Sequence, residues 1–190
     1  KYKNFSGKVV TAFSCSVKVQ KICEYYGLTH EIVKIGFKYI AGKMISDNVL
    51  LGGEESGGIA TTGHIPERDG IWMGLILFEF MAKSGKSIDQ LINEVYEIVG
   101  SFAFDRYDLH INNQQKNEII KKCESGFFQN FGKYSVSRTE NLDGFKFFFD
   151  ADSWLMIRPS GTEPVLRIYA ESRNITEVKE ILDACKLSIL

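Results

Sequence analysis

Residues 48–58 read NVLLGGEESGG, an apolar strand that runs straight into a glycine-rich acidic loop. What lies upstream decides the kind of sheet. Residues 8–13, KVVTAF, have the pattern of a buried strand. From Val17 to Tyr26, the residues Val17, Val19, Ile22, Cys23 and Tyr26 make one helical face, with Gly27 as a stop. Residues 29–35 predict a second strand ending at Gly36, Phe37–Met44 a short helix, and Asn48–Leu51 a third strand. Strands alternating with helices are the signature of a parallel α/β unit. Open α/β sheets bind ligands beyond the carboxyl ends of their strands, and the loop Gly52-Gly53-Glu54-Glu55-Ser56-Gly57-Gly58 sits at such an end. Its glycines let the backbone approach a ligand closely. Its carboxylates and hydroxyl accept hydrogen bonds from sugar hydroxyls. A plain polar turn with solvated glutamates has the same composition. No G-x-x-x-x-G-K-[ST] is present, so the loop is not a P-loop.

Downstream, Asp69 is placed to cap a nearly all-apolar helix that runs to about Lys83 and stops at Gly85. Such a helix is expected to be buried on most sides. Ser87-x-x-Gln90 is a capping box, and Ile88, Leu91, Ile92, Val95, Ile98 and Val99 follow at helical spacing. At Gly100 the character changes. Residues 102–111 predict a strand and 113–125 a helix. Residues 133–140, 145–149 and 153–158 predict successive antiparallel strands, joined by turns at Asn141–Gly144 and Asp150–Asp152. A last strand covers 165–172 and a last helix starts at Thr176, with Val178, Ile181, Leu182 and Cys185 on one face. The fold class is therefore α/β plus α+β: a parallel-sheet α/β domain over 1–100, then a small antiparallel-sheet α+β domain over 101–190. The phenylalanines 145, 147, 148 and 149 are most simply sheet core.

A second loop, Arg158-Pro159-Ser160-Gly161-Thr162-Glu163-Pro164, joins two predicted strands. Arg158 presents a fork of donors suited to a phosphate. Ser160 and Thr162 offer hydroxyls, and Gly161 permits a turn that aims successive N–H groups at one anion. Arg167 lies in the following strand on the face opposite Leu166, Ile168 and Ala170, where it points a second guanidinium at the same anion. The alternative is a Pro/Ser/Gly connection whose arginines pair with Glu163 and Glu171. A polyol-binding loop and a phosphate-binding loop together suggest a phosphosugar.

Composition sets the outer bounds. The chain has 23 basic and 24 acidic residues, a net charge of −1, so no field of one sign gathers nucleic acid or an anionic membrane. The longest apolar run, Ile71–Phe78, is far short of the roughly 20 residues that a membrane span requires. No basic segment followed by an apolar one opens the sequence, so a secretory signal is not expected. Cys15, Cys23, Cys123 and Cys185 form no C-x-x-C and no zinc spacing, which fits buried thiols in a reducing cytoplasm. Lys1 is not an initiator methionine, and the sequence reads as a piece of something longer.

At both loops the sequence resembles the α-D-phosphohexomutase family, the phosphoglucomutase and phosphomannomutase enzymes. GEESGG resembles the family's sugar-recognition loop in its third domain, and RPSGTEP followed by LRIYAES its phosphate-binding loop in the fourth. VVTAFSCS, VKIGFKYI and ERDGIW agree in order and spacing. The resemblance implies a four-domain parent enzyme. The family's T-A-S-H-N-P-like phosphoserine loop and its D-G-D-G-D-R-like magnesium loop do not occur here. The chain thus resembles an N-terminally truncated third domain, lacking an initial strand and helix, followed by the fourth. The missing N-terminal domains would be its partners and hexose phosphates its ligands.

The resemblance further implies a phosphoserine that exchanges its phosphoryl group with a hexose monophosphate through glucose 1,6-bisphosphate. Glu54 and Ser56 match the positions that hold the sugar's 3- and 4-hydroxyls. Arg158, Ser160, Gly161 and Thr162 match the loop that holds the phosphate not being transferred, and Arg167 a further phosphate contact. Lys38, in Gly36-Phe37-Lys38, resembles a lysine beside the sugar that assists proton transfer or binds an oxygen. Glu55 is expected to point away from the sugar while its neighbours point inward. His64 lies within reach of the loop or on the surface, and His30 and His110 carry no chemical argument. Magnesium is expected outside this chain, the location is expected to be cytoplasmic, and the chain alone is expected to be inactive. Within the resemblance GEESGG leans toward glucose, a phosphoglucomutase-type enzyme, with mannose or dual specificity and a non-catalytic phosphosugar-binding module as the alternatives.

Overall fold

A computed structural model describes residues 5–161 and 163–190, which divide between Gly100 and Ser101 into two compact units. The first unit is built from β1 (Lys8–Ala12), α1 (Lys18–Tyr25), β2 (His30–Val33), α2 (Phe37–Ser46), β3 (Val49–Gly53), β4 (Ile59–Thr61), α3 (Gly70–Ser84) and α4 (Ile88–Val99). Its sheet runs β2-β1-β3-β4. The first three strands are parallel, as the alternation of strands and helices predicts, and β4 returns antiparallel to β3. Short β4 carries no side-chain pattern of its own, so the sequence does not predict it. The helix α2 covers one part of the sheet through Ile40, which packs with Val10, Phe37, Val49 and Ala60 in a buried cluster. That approach is close. A Cβ on Gly52 would stand 2.2 Å from Ile40 Cγ2.

The caps of α3 and α4 form as their sequences predict, while α2 runs to Ser46, two residues past the predicted Met44. Asp69 accepts from the Trp72 amide at 3.0 Å, and Gly85 stops α3 in the left-handed conformation, φ 67°. Ser87 and Gln90 form the reciprocal capping box of α4. The expected burial of α3 is overturned: none of its residues is buried, and Ile71, Leu75 and Phe78 are 80%, 58% and 69% exposed. The composition of a helix makes burial favourable but supplies no neighbour. Among the described residues α3 lies chiefly beside β4. A cavity of about 780 Å³ opens between Leu51 and Thr61 on the strands and Trp72, Met73, Ile76 and Phe80 on α3.

The second unit contains β5 (Ala103–His110), α5 (Asn113–Glu124), β6 (Asn130–Phe131), β7 (Tyr134–Ser135), β8 (Arg138–Glu140), β9 (Phe145–Phe148), β10 (Trp154–Pro159), β11 (Val165–Ser172) and α6 (Ile175–Ile189). Its sheet order is β5-β11-β10-β9-β8, antiparallel throughout. The predicted strand over 133–140 is two strands. At its break the Ser137 amide turns to Phe148 O at 2.7 Å, carrying the chain from the small β6–β7 hairpin into the main sheet. Val178, Ile181, Leu182 and Cys185 of α6 pack on Leu155, Ile157, Leu166 and Ile168, all fully buried. Fixing these side chains on one sheet face turns Arg158 and Arg167 to the other. No helix among the described residues is long and apolar enough to cross a membrane.

Candidate functional site

Parallel pairing brings the ends of β1, β2 and β3 to one edge of the sheet, with Ala12 beside Val33 and Thr11 beside Gly53. Ser14, the Gly36–Lys38 segment and the acidic loop leave from that edge. The loop is closed on itself, the Glu54 amide donating to Gly58 O at 2.9 Å and the Gly57 amide to Glu54 O at 3.1 Å. Gly57 has φ +87°, a conformation that favours glycine. Glu55 turns back, accepting from the buried hydroxyl of Ser14, which ties the loop to the end of β1. Ser56 is exposed at the tip, and its hydroxyl takes no partner among the described residues. The Glu54 side chain is 8% exposed, and its Oε2 accepts from Arg68 Nη1 at 2.8 Å.

Lys38 stands in the first turn of α2 with its ammonium 5.0 Å from the Tyr39 ring, on the exposed side. His64 neither meets the loop nor lies free on the surface. Its Nε2 pairs with Asp69 at 2.9 Å and its ring stacks on Trp72, 4.6 Å between centroids. The Trp72 amide, and after it His64, hold the Asp69 carboxyl below the usual carboxylate range. His64 therefore braces the start of α3.

The second loop bridges β10 and β11, whose register sets Arg158 directly opposite Arg167. Like charges across a strand pair repel, and each guanidinium leans on carboxylates to the side. Arg158 Nε donates to Asp143 at 3.4 Å, and Arg167 lies 3.6 Å from Glu163 and 4.0 Å from Asp108. Asp143 reaches Arg158 because Gly144, at φ +92°, carries no Cβ to strike Ile157 O at 2.7 Å. The loop itself is pinned. The Ser160 amide donates to Val165 O at 2.9 Å, the buried Ser160 Oγ accepts from the Glu163 amide at 3.3 Å, and Lys116 Nζ reaches Ser160 O and Glu163 O at 3.5 Å each. Gly161 is not left-handed, and a Cβ there would meet nothing within 4 Å. Its place in the turn is open space and not a demanded conformation. Thr162 lies outside the described residues.

Three residues that contact these loops from outside receive no role in the sequence reading. Arg68, Asp143 and Lys116 reach partners 14, 15 and at least 44 residues away, so no local motif holds both members of a pair, although Arg68 stands in ERDGIW. From sequence, Asp143 has only the look of a turn residue.

A family model described as phosphoglucomutase/phosphomannomutase, alpha/beta/alpha domain III matches residues 1–99, and one described as the C-terminal domain of the same enzymes matches 116–187. The chain belongs to the phosphoglucomutase/phosphomannomutase family. It is 29% identical over 95% of its length to a phosphoglucomutase/phosphomannomutase of Thermococcus kodakarensis, of which it covers 37%. It is 31% identical over 86% of its length to a phosphoglucosamine mutase of Limosilactobacillus fermentum, of which it covers 32%. The crystal structure of a putative phosphomannomutase from Thermus thermophilus superposes with TM-score 0.81 at 26% identity, over 99% of this chain and 37% of that one. The chain thus spans little more than a third of the curated relatives it matches.

Proposed function

We propose that the chain is the C-terminal part of an enzyme that interconverts hexose 1-phosphate and hexose 6-phosphate through a phosphoserine and a 1,6-bisphosphate. The observation that carries the phosphate half is the Arg158–Arg167 pair. Two cations set directly opposite each other are relieved by a dianion between them, and bidentate guanidinium–phosphate bonds are strong and directional. Glu54 and Ser56 supply the acceptors for the 3- and 4-hydroxyls. Those contacts leave C2 unread, which agrees with relatives named for glucose, mannose and glucosamine, sugars that differ at C2.

In this reading the phosphoserine passes its phosphoryl group to the free hydroxyl of a bound hexose monophosphate. The bisphosphate then turns over, and the other phosphate returns to the serine. The serine belongs to the longer protein. The chain described here binds and orients, which is the larger part of phosphoryl-transfer catalysis. Lys38 is assigned in this reading to act on the sugar oxygens. Magnesium is proposed to bind in the longer protein, and the glucose 1,6-bisphosphate intermediate at these same loops. Among the described residues no three His, Cys, Asp or Glu side chains gather to hold a metal.

An NMR titration of this chain with glucose 1-phosphate tests the reading, with galactose 1-phosphate, inverted at C4, as control. Shifts are expected at Arg158, Ser160, Gly161 and Arg167 with both sugars, and at Glu54 and Ser56 more strongly with glucose. Silence at both loops here and in the full-length protein would refute it. In the full-length enzyme, Arg158→Ala is expected to lower kcat/KM by about a hundredfold or more, through loss of a charge-assisted phosphate bond. A change below about threefold would remove Arg158 from the phosphate site.

A further inference from the structure

The Glu54 side chain is almost closed off from solvent, yet it carries a carboxylate. A charge in that position is costly unless paired, and the pairing is lopsided. Oε2 is taken by Arg68 Nη1 at 2.8 Å, while Oε1 receives no hydrogen bond from the described residues. One oxygen is fixed and one is offered.

The surroundings are fitted to that arrangement. A Cβ on Gly58 would lie 3.0 Å from Arg68 Cδ and 3.3 Å from Glu54 Oε2, so the absence of a side chain there makes room for both partners at once. The guanidinium carbon of Arg68 stands 5.5 Å from the centre of the Phe37 ring, which steadies it as a cation over a π face. The backbone of Arg68 is held as well. The next amide, Asp69 N–H, donates to Ile59 O of β4 at 3.3 Å, and the Asp69 side chain caps α3 and pairs with His64. The guanidinium therefore projects from a braced helix start onto the loop. Arg68 is itself half exposed, so the fold does not rest on its burial.

We infer that Arg68 is a positioning residue for sugar recognition: it locks Glu54 Oε2 so that Oε1 stands ready as the acceptor for one hydroxyl of the hexose ring. The inference rests on the proposed role of Glu54. Without Arg68 the carboxylate turns freely or gathers water, and the hydroxyl loses its aligned acceptor. Lysine restores the charge but not the fixed fork.

The test is a cycle between enzyme and substrate, run on the full-length enzyme with glucose 1-phosphate and its 3-deoxy and 4-deoxy analogues. The readout is the deoxy penalty, the ratio of kcat/KM for parent and analogue. A site built to bond a hydroxyl rejects the analogue lacking it strongly, so the wild-type penalty is expected at about a hundredfold or more for one analogue. Arg68→Met is expected to shrink that penalty roughly tenfold, by slowing the parent and sparing the analogue, and Arg68→Lys to recover part of it. A merely structural role would slow parent and analogue alike. Gly58→Ala, which displaces the same pair with Arg68 intact, is expected to act like Arg68→Met and serves if that variant folds poorly. A penalty preserved in Arg68→Met or Gly58→Ala but lost in Glu54→Gln would overturn the role of Arg68 and leave that of Glu54. A penalty preserved in Glu54→Gln would overturn the sugar-loop reading itself, and the role of Arg68 with it.

Discussion

Gly52 shows how a single missing atom fixes a site. It belongs to the strand that ends in the acidic loop, and Ile40 of α2, fully buried, fills the space where its Cβ would stand. The φ of Gly52 is not left-handed, so the demand is for room and not for conformation. Ile40 cannot retreat, because Val10, Phe37 and Val49 pack around it. Gly52→Ala is therefore expected to destabilise the first unit by about 1–3 kcal/mol, the usual cost of overpacking. In an Ile40→Ala background the same change is expected to be nearly neutral, since the pair is in contact and its effects do not add. Urea unfolding of the four proteins measures both, and equal costs in the two backgrounds would refute the packing argument. Residues of this kind divide by legibility. Glu54, Ser56 and Arg158 are readable because chemistry-bearing residues sit together in short loops with glycine and proline. Arg68 is not, because its meaning is a contact with Glu54 across a turn, a strand and a further loop.

At the scale of elements, the opening of the first unit is tied by charge. Lys8 of β1 reaches Glu31 of β2 at 2.5 Å and Asp47, at the end of α2, at 2.6 Å, while Lys43 reaches Glu31 at 2.6 Å. Lys43 and then Lys8 hold the Glu31 carboxyl below its ordinary value, and Lys8 and then Ser46 do the same for Asp47. The sign follows from proton binding. Both carboxyls titrate lower in the folded chain than in the unfolded one, so the unfolded chain binds more protons as acid is added. Their contribution is complete above the ordinary carboxylate range, near pH 4, and is lost as pH falls through the lowered values. Lys8→Met is expected to flatten the fall of stability between about pH 5 and pH 2, chiefly through Asp47, and to do so less at high salt. Amide hydrogen exchange in β1 across that range is the measurement, and an unchanged pH slope would refute the linkage. None of this network is legible in the sequence, because its members lie on three elements. The elements themselves are legible where a period or a cap marks them. Short β4, and the break between β7 and β8, obey backbone pairing that leaves no side-chain pattern.

At the scale of the whole chain, the two units differ in how far their cores are closed. In the second unit α6 seals one face of the sheet, and Leu155, Ile157, Leu166, Ile168, Ile181 and Leu182 are wholly buried. In the first, an apolar helix has no buried residue and borders an open cavity. The sequence announces how apolar α3 is but cannot announce its neighbours, because burial belongs to what packs against a segment. An exposed apolar surface of this kind binds apolar dyes and promotes self-association. The chain is expected to enhance the fluorescence of anilinonaphthalene sulfonate under native conditions. Ile71→Glu, Leu75→Lys and Phe78→Lys together lie on one helix face. They place an acid near the start of α3 and bases further along, in keeping with its dipole. This triple variant is expected to lose most of the dye signal and keep the urea midpoint of the parent, since surface changes cost little where nothing packs. A variant that unfolds, or a midpoint that drops sharply, would mean that these three side chains are core after all.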